Sequence, residues 1–177
     1  MNSGYCADAY KTMTLHDKIE FLHKVHIGEI SLFDEYGNDN EIFNDYHEVQ
    51  NELRKHPELF HLNDILRLIS ILDDDCFEIT WQYNLAVMIF KIVVFNGKDG
   101  VNFFLQHLSD VPKNGHLHGW HFPIQWLIAD DSGYPLLKEA ISEQGREIKN
   151  LFSAILLNIK VDELAEKKEE LKQLLYS

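Results

Sequence analysis

One apolar stretch limits this chain's fold more than any other feature. It runs CFEITWQYNLAVMIFKIVVF, from Cys76 to Phe95, between Asp73-Asp74-Asp75 and Asn96-Gly97. From Leu85 onward Lys91 is its single charge. The β-branched residues Ile79, Thr80, Val87, Ile89, Ile92, Val93 and Val94 favour a strand, but strands average about 5–6 residues. A membrane span needs about 20 apolar residues, and the longest apolar stretch here, Leu85–Phe95, is too short and is interrupted by Lys91. The run therefore reads as a helix, apolar nearly all round in its second half, and so the central, buried one. Asp73–Asp75 and Glu78 suit its N-terminus, where the dipole favours anions. Asn96-Gly97 suits its end.

The flanking segments carry helical signals too. Thr14 and Asp17 form a capping-box pattern ahead of Leu15, Ile19 and Leu22. Gly28–Asn40 is turn-like. Glu41–Lys55 places Ile42, Tyr46, Val49 and Leu53 on one side and stops at His56-Pro57, because a residue before Pro avoids the α region. Asn63 is a candidate N-cap for a helix over Asp64–Leu72. Further helices are expected over Asp99–Ser109, Pro123–Ala129, Pro135–Gln144 and Glu147–Lys160, with a last charged one from Asp162 to Leu175. Gly115–His121 reads as a His- and Gly-rich loop. No convincing strand pattern occurs. The expected fold is all-α: a single domain over residues 1–177, about eight helices in stacked antiparallel pairs, with a solenoid-like, HEAT-like arrangement as one way of stacking them.

The charge is unevenly spread. The 177 residues carry 29 acids and 16 bases, a net charge of −13. Residues 29–78 hold fourteen of the acids and three of the bases, whereas residues 79–177 hold twelve and ten. Concentrated like charge costs stability through self-repulsion. A docking face for a basic partner uses it, with acids steering association and aromatics anchoring it. Nucleic acid and anionic membrane are disfavoured as direct partners by the same charge. Glu41, Asp45, Glu48 and Glu52 recur at four, three and four residues, on one helix face. With Asp34, Glu35, Asp73, Asp74, Asp75, Glu78 and Trp81 they make up the expected partner-binding set. Tyr36, Phe43, Tyr46 and Tyr83 lie in or beside the same stretch; Phe43 and Tyr46 read as core.

Nothing in the sequence carries a catalytic signature or implies a cofactor. GxGxxG, P-loop and GxSxG motifs are absent. The two cysteines, Cys6 and Cys76, form no CxxC and argue against a disulfide scaffold or zinc knuckle. His116, His118 and His121 supply fewer protein ligands than a structural zinc site needs without Asp130 or Asp131, so no metal site is assigned. The acidic triplet lacks the EF-hand pattern. MNSGYCADAYK is not a signal peptide, and the cytoplasm is the expected location.

The segment from Leu72 to about Ile141 adds a resemblance. It reads LDDDCFEITWQYNLAVMIFKIVVFNGKDGVNFFLQHLSDVP, then HGWHFPIQWLIADD, then PLLKEAI. This resembles the α-helical immunity proteins of bacterial polymorphic toxin and contact-dependent growth inhibition systems. Their outline has an acidic turn, a Met-bearing helix, a short helix before a proline, and a Trp-bearing helix ending in a polar turn. Asp73, Asp74, Glu78, Met88, Pro112 and Trp126 match it; Gln125 stands where such proteins often have an acid. The resemblance implies a non-catalytic inhibitor that neutralises a cognate basic toxin domain, an RNase or other nuclease, by steric and electrostatic blockade. The alternative is an all-α adaptor or scaffold module for another basic protein. A third reading, a metal-dependent hydrolase using His116, His118 and His121, rests on those three residues alone.

Overall fold

Apolar residues at helical spacing need a helical partner face to leave water, and this chain supplies such faces throughout. Its computed structural model describes residues 9–33, 41–72, 79–110 and 118–176. Among these residues there are nine α-helices and no strand, so the fold is all-α. They fall into two compact units, Met1–Phe60 and His61–Ser177.

The first unit contains α1 (Leu15–His26) and α2 (Glu41–Lys55). The capping box starts α1 as expected. The Asp17 amide donates to Thr14 Oγ1 at 3.2 Å, and the Thr14 amide donates to Asp17 Oδ2 at 3.0 Å. That hydrogen bonding, from the Thr14 side chain first, holds the Asp17 carboxyl below its ordinary range. Ile19, Phe21, Leu22 and Val25 of α1 are buried, as are Tyr46, Val49 and Leu53 of α2. The Phe21 and Tyr46 rings meet edge-on, 6.4 Å apart. Gln50 Nε2 donates to the Tyr46 hydroxyl at 2.7 Å, so the buried phenol is satisfied. Phe43, read as core, is half-buried against Phe33, with ring centroids 6.1 Å apart. After His56, Pro57–Leu59 forms a short 3-10 turn.

The second unit contains α3 (Leu62–Ile69), α4 (Ile79–Phe95), α5 (Gly97–Gln106), α6 (His118–Ala129), α7 (Gly133–Ser142), α8 (Arg146–Asn158) and α9 (Ala165–Tyr176). Its packing has a simple rule. Neighbours in sequence pair as hairpins, α4 with α5, α6 with α7 and α8 with α9. Every second helix also packs, so α4, α6 and α8 form one row and α5, α7 and α9 the other. Short connections make each pair antiparallel. These are the stacked antiparallel pairs expected from the sequence. The apolar helix α4 lies among α3, α5 and α6, with Leu85, Ala86, Ile89, Ile92 and Val93 each fully buried.

The turn between α4 and α5 is one residue, Asn96, followed by Gly97 at φ +60°. Glycine takes that left-handed conformation without a Cβ penalty. Asn96 Nδ2 donates back to the Ile92 carbonyl at 2.8 Å. So sharp a turn brings the helices close: a Cβ on Gly100 would lie 2.3 Å from the carbonyl oxygen of Val93.

Several helix starts differ from expectation, with α5 opening at Gly97 rather than Asp99 and α7 at Gly133 rather than Pro135. Residues 118–121, read as loop, form the first turn of α6, and Pro123 lies inside the helix rather than at its start. Proline there forfeits one backbone bond, to the carbonyl of residue 119. Keeping the helix lets Phe122 pack on Tyr83 of α4, with ring centroids 6.0 Å apart. α3 begins at Leu62, not after Asn63, because Asp64 Oδ2 accepts from the His61 amide at 2.8 Å and sets the cap two residues earlier. Asp162–Leu164 is a 3-10 turn ahead of α9 rather than its first turn.

Candidate functional site

The acids of α2 belong to the first unit, and their helix also supplies the core. Tyr46, Val49 and Leu53 set the buried direction, so a row at 41, 45, 48 and 52 runs along its flank. The flank treats its acids differently. Glu48 is exposed and forms no ion pair among the described residues. Glu52 accepts from Lys18 Nζ at 2.5 Å. The Lys18 side chain is 9% exposed and the Glu52 side chain 37%, so the pair sits at the rim of the core. Asp45 is 5% exposed, and its Oδ2 has no hydrogen-bond partner among the described residues. Burial removes Asp45 from any surface a partner reaches, which corrects its expected place in the docking set. Lys18 was not foreseen. The signal was present, because Leu15, Lys18, Ile19 and Leu22 share the buried spacing of α1.

Glu41 opens α2, and Trp81 is the third residue of α4. Asp34, Glu35, Asp73, Asp74, Asp75 and Glu78 lie outside the described residues. Tyr83, two residues beyond Trp81, is 39% exposed. It packs against Trp126 of α6 at 5.6 Å between centroids, and Trp126 meets Phe90 at 5.9 Å. Trp126, expected in the core, is half-buried, and its Nε1 is buried with no partner among the described residues. Tyr83, the first residue of this α4–α6 aromatic cluster, follows Asp75 by eight positions in sequence.

In the charge-balanced part of the chain, bases and acids hold one another. Lys98 donates to Glu139 at 2.8 Å and to Glu143 at 2.6 Å, tying α5 to α7. Those two bonds, Glu139 first, push the ammonium up to about 12. Between α7 and α9, Glu170 accepts from Lys138 at 2.7 Å and from the Tyr134 hydroxyl at 2.6 Å. Lys138 first and Tyr134 second hold that carboxyl below its ordinary range. Lys167 donates to the Ile128 carbonyl at the end of α6 at 3.0 Å, and Lys168 donates to the Ile159 carbonyl after α8. Both bonds satisfy carbonyls that a helix end leaves open.

Of the three histidines considered for metal, His116 lies outside the described residues, His118 opens α6, and His121 follows it in that helix. No three His, Cys, Asp or Glu side chains gather as a metal-ligand set among the described residues. No helix among them is long and apolar enough to cross a membrane. Comparison with models of protein families, with curated proteins and with solved structures finds no match to this chain.

Proposed function

We propose that this chain is a non-catalytic immunity protein that acts in the cytoplasm by binding a cognate basic toxin domain, an RNase or other nuclease. Blockade is steric and electrostatic: the acidic face occupies or covers the cationic cleft the toxin needs for its substrate. One observation carries the reading. Fourteen acids face three bases over residues 29–78, while the rest of the chain is close to balance. In the second unit, lysines take up several of the acids. In the first unit Glu48 keeps its charge exposed, and Glu52 shares its own with Lys18. Exposed, unpaired acids raise association rates for a cationic partner, and salt weakens that effect.

The experiment is capture of partners by the tagged chain at low and moderate salt, followed by co-expression of the captured protein. The expected result is one basic chain that arrests growth alone and is harmless with this protein present. Glu48→Lys should slow association and flatten its salt dependence. Asp45→Asn should leave binding unchanged, because that side chain is buried. Capture of a basic chain that does not arrest growth would favour the adaptor reading, and rescue untouched by reversal of Glu48 and Asp73–Asp75 together would remove the electrostatic mechanism.

A further inference from the structure

The acidic stretch leaves one part of the second unit unexplained. A cavity of about 380 Å³ opens beside the first two turns of α8 and the end of α9. Arg146 and Lys149 of α8 line it, with Asn150 and Ser153 as neutral polar groups beside them. No carboxylate side chain is among the described lining residues.

That composition is unusual for this chain, whose net charge is −13. Lys98, Lys138, Lys167 and Lys172 of the same unit each hold a carboxylate. Arg146 and Lys149 hold none among the described residues, although two cations three residues apart on a helix repel each other. An anion between them removes that repulsion. Arginine offers a planar fork and lysine a point charge, and both suit phosphate oxygens.

Two further lining residues carry apolar side chains: Leu175, which is buried, and Tyr176, which is 80% exposed. The volume is at the low end of the roughly 300–1,000 Å³ of small-molecule sites. We propose that this cavity binds a small phosphomonoester with an aromatic body, its phosphate held by Arg146 and Lys149 and its ring against Leu175 and Tyr176. This reading is independent of toxin binding.

Titration calorimetry at fixed ionic strength tests it, with phenyl phosphate, inorganic phosphate and phenol as probes. Phenyl phosphate should bind saturably and more tightly than inorganic phosphate, and phenol should not bind. The double variant R146Q/K149Q should bind phenyl phosphate about tenfold more weakly or worse, since each bond to a charged group is worth at least one such factor. Tyr176→Ala should remove the advantage of phenyl phosphate over inorganic phosphate and leave the latter's affinity unchanged. Absence of saturable phenyl phosphate binding overturns the proposal, as does equal affinity in R146Q/K149Q. If the double variant melts early, the probe series on the native chain and on Tyr176→Ala decides, because that exposed ring supports no core.

Discussion

Gly97 and Gly100 sit three residues apart and fail for different reasons when given a side chain. Gly97→Ala meets no neighbour within 4 Å, but it must hold φ at +60°, which costs about 1–2 kcal/mol. Gly100→Ala has ordinary helical dihedrals but drives its methyl into the Val93 carbonyl. Forcing the helices apart costs about 1–3 kcal/mol in overpacking and also loosens the Asn96 turn. Urea denaturation should therefore find both variants less stable, with Gly100→Ala the more damaging. A second residue-scale test uses pH. Asp130 Oδ1 accepts from the Ser132 hydroxyl at 2.5 Å, from the Gly133 amide at 2.8 Å and from the Ser132 amide at 2.9 Å. These bonds, the Ser132 hydroxyl first, hold its carboxyl below the ordinary range. A depressed folded value means the stabilisation is complete above the unfolded pKa of about 3.9 and fades as pH falls through the folded one. The stability gap between the native chain and Asp130→Asn should thus shrink between about pH 5 and pH 3. A gap constant across that window contradicts the assignment.

Among elements, α9 closes the two rows and is attached by few but specific contacts. Leu164, Leu171 and Leu175 are buried, and Lys167 and Lys168 cap the ends of its neighbours. Leu171→Ala should cost about 2–5 kcal/mol. In an array held by nearest neighbours, that loss should appear first as faster hydrogen exchange in α9, with α4 protected longest. Uniform loss of protection across the unit would show that α9 is not a separable end. Element boundaries were legible where the signal is local. α2 spans Glu41–Lys55 as read, and the Thr14–Asp17 box starts α1, because caps and proline stops act within one turn. α6 was read too short. A His- and Gly-rich segment ahead of Pro123 looks like loop until packing of Phe122 on Tyr83 is added, and that contact spans some forty positions of chain. The candidate site divided in the same way. Periodicity placed Asp45, Glu48 and Glu52 on one flank, but which flank residues face water depends on the helix alongside. Asp45 is buried, and α1 supplies Lys18 to Glu52.

For the molecule as a whole, charge is the dominant long-range term. At −13, self-repulsion weighs against the compact state. The Debye length falls from about 30 Å at 0.01 M salt to about 8 Å at 0.15 M. The melting temperature should therefore rise over that range of simple salt. A fall would mean that ion pairs such as Lys98 with Glu139 and Glu143 outweigh the repulsion. A different consequence follows from the single-residue turn at Asn96 and the two-row packing of the second unit. The helices that pack most extensively there are one to three apart in order, so few contacts require distant parts of the chain to find each other. Low contact order of this kind favours rapid folding. During synthesis, the hairpin of α4 and α5 can form and bury its apolar faces against α3 before α9 has emerged, so the most aggregation-prone segment of the chain is exposed only briefly.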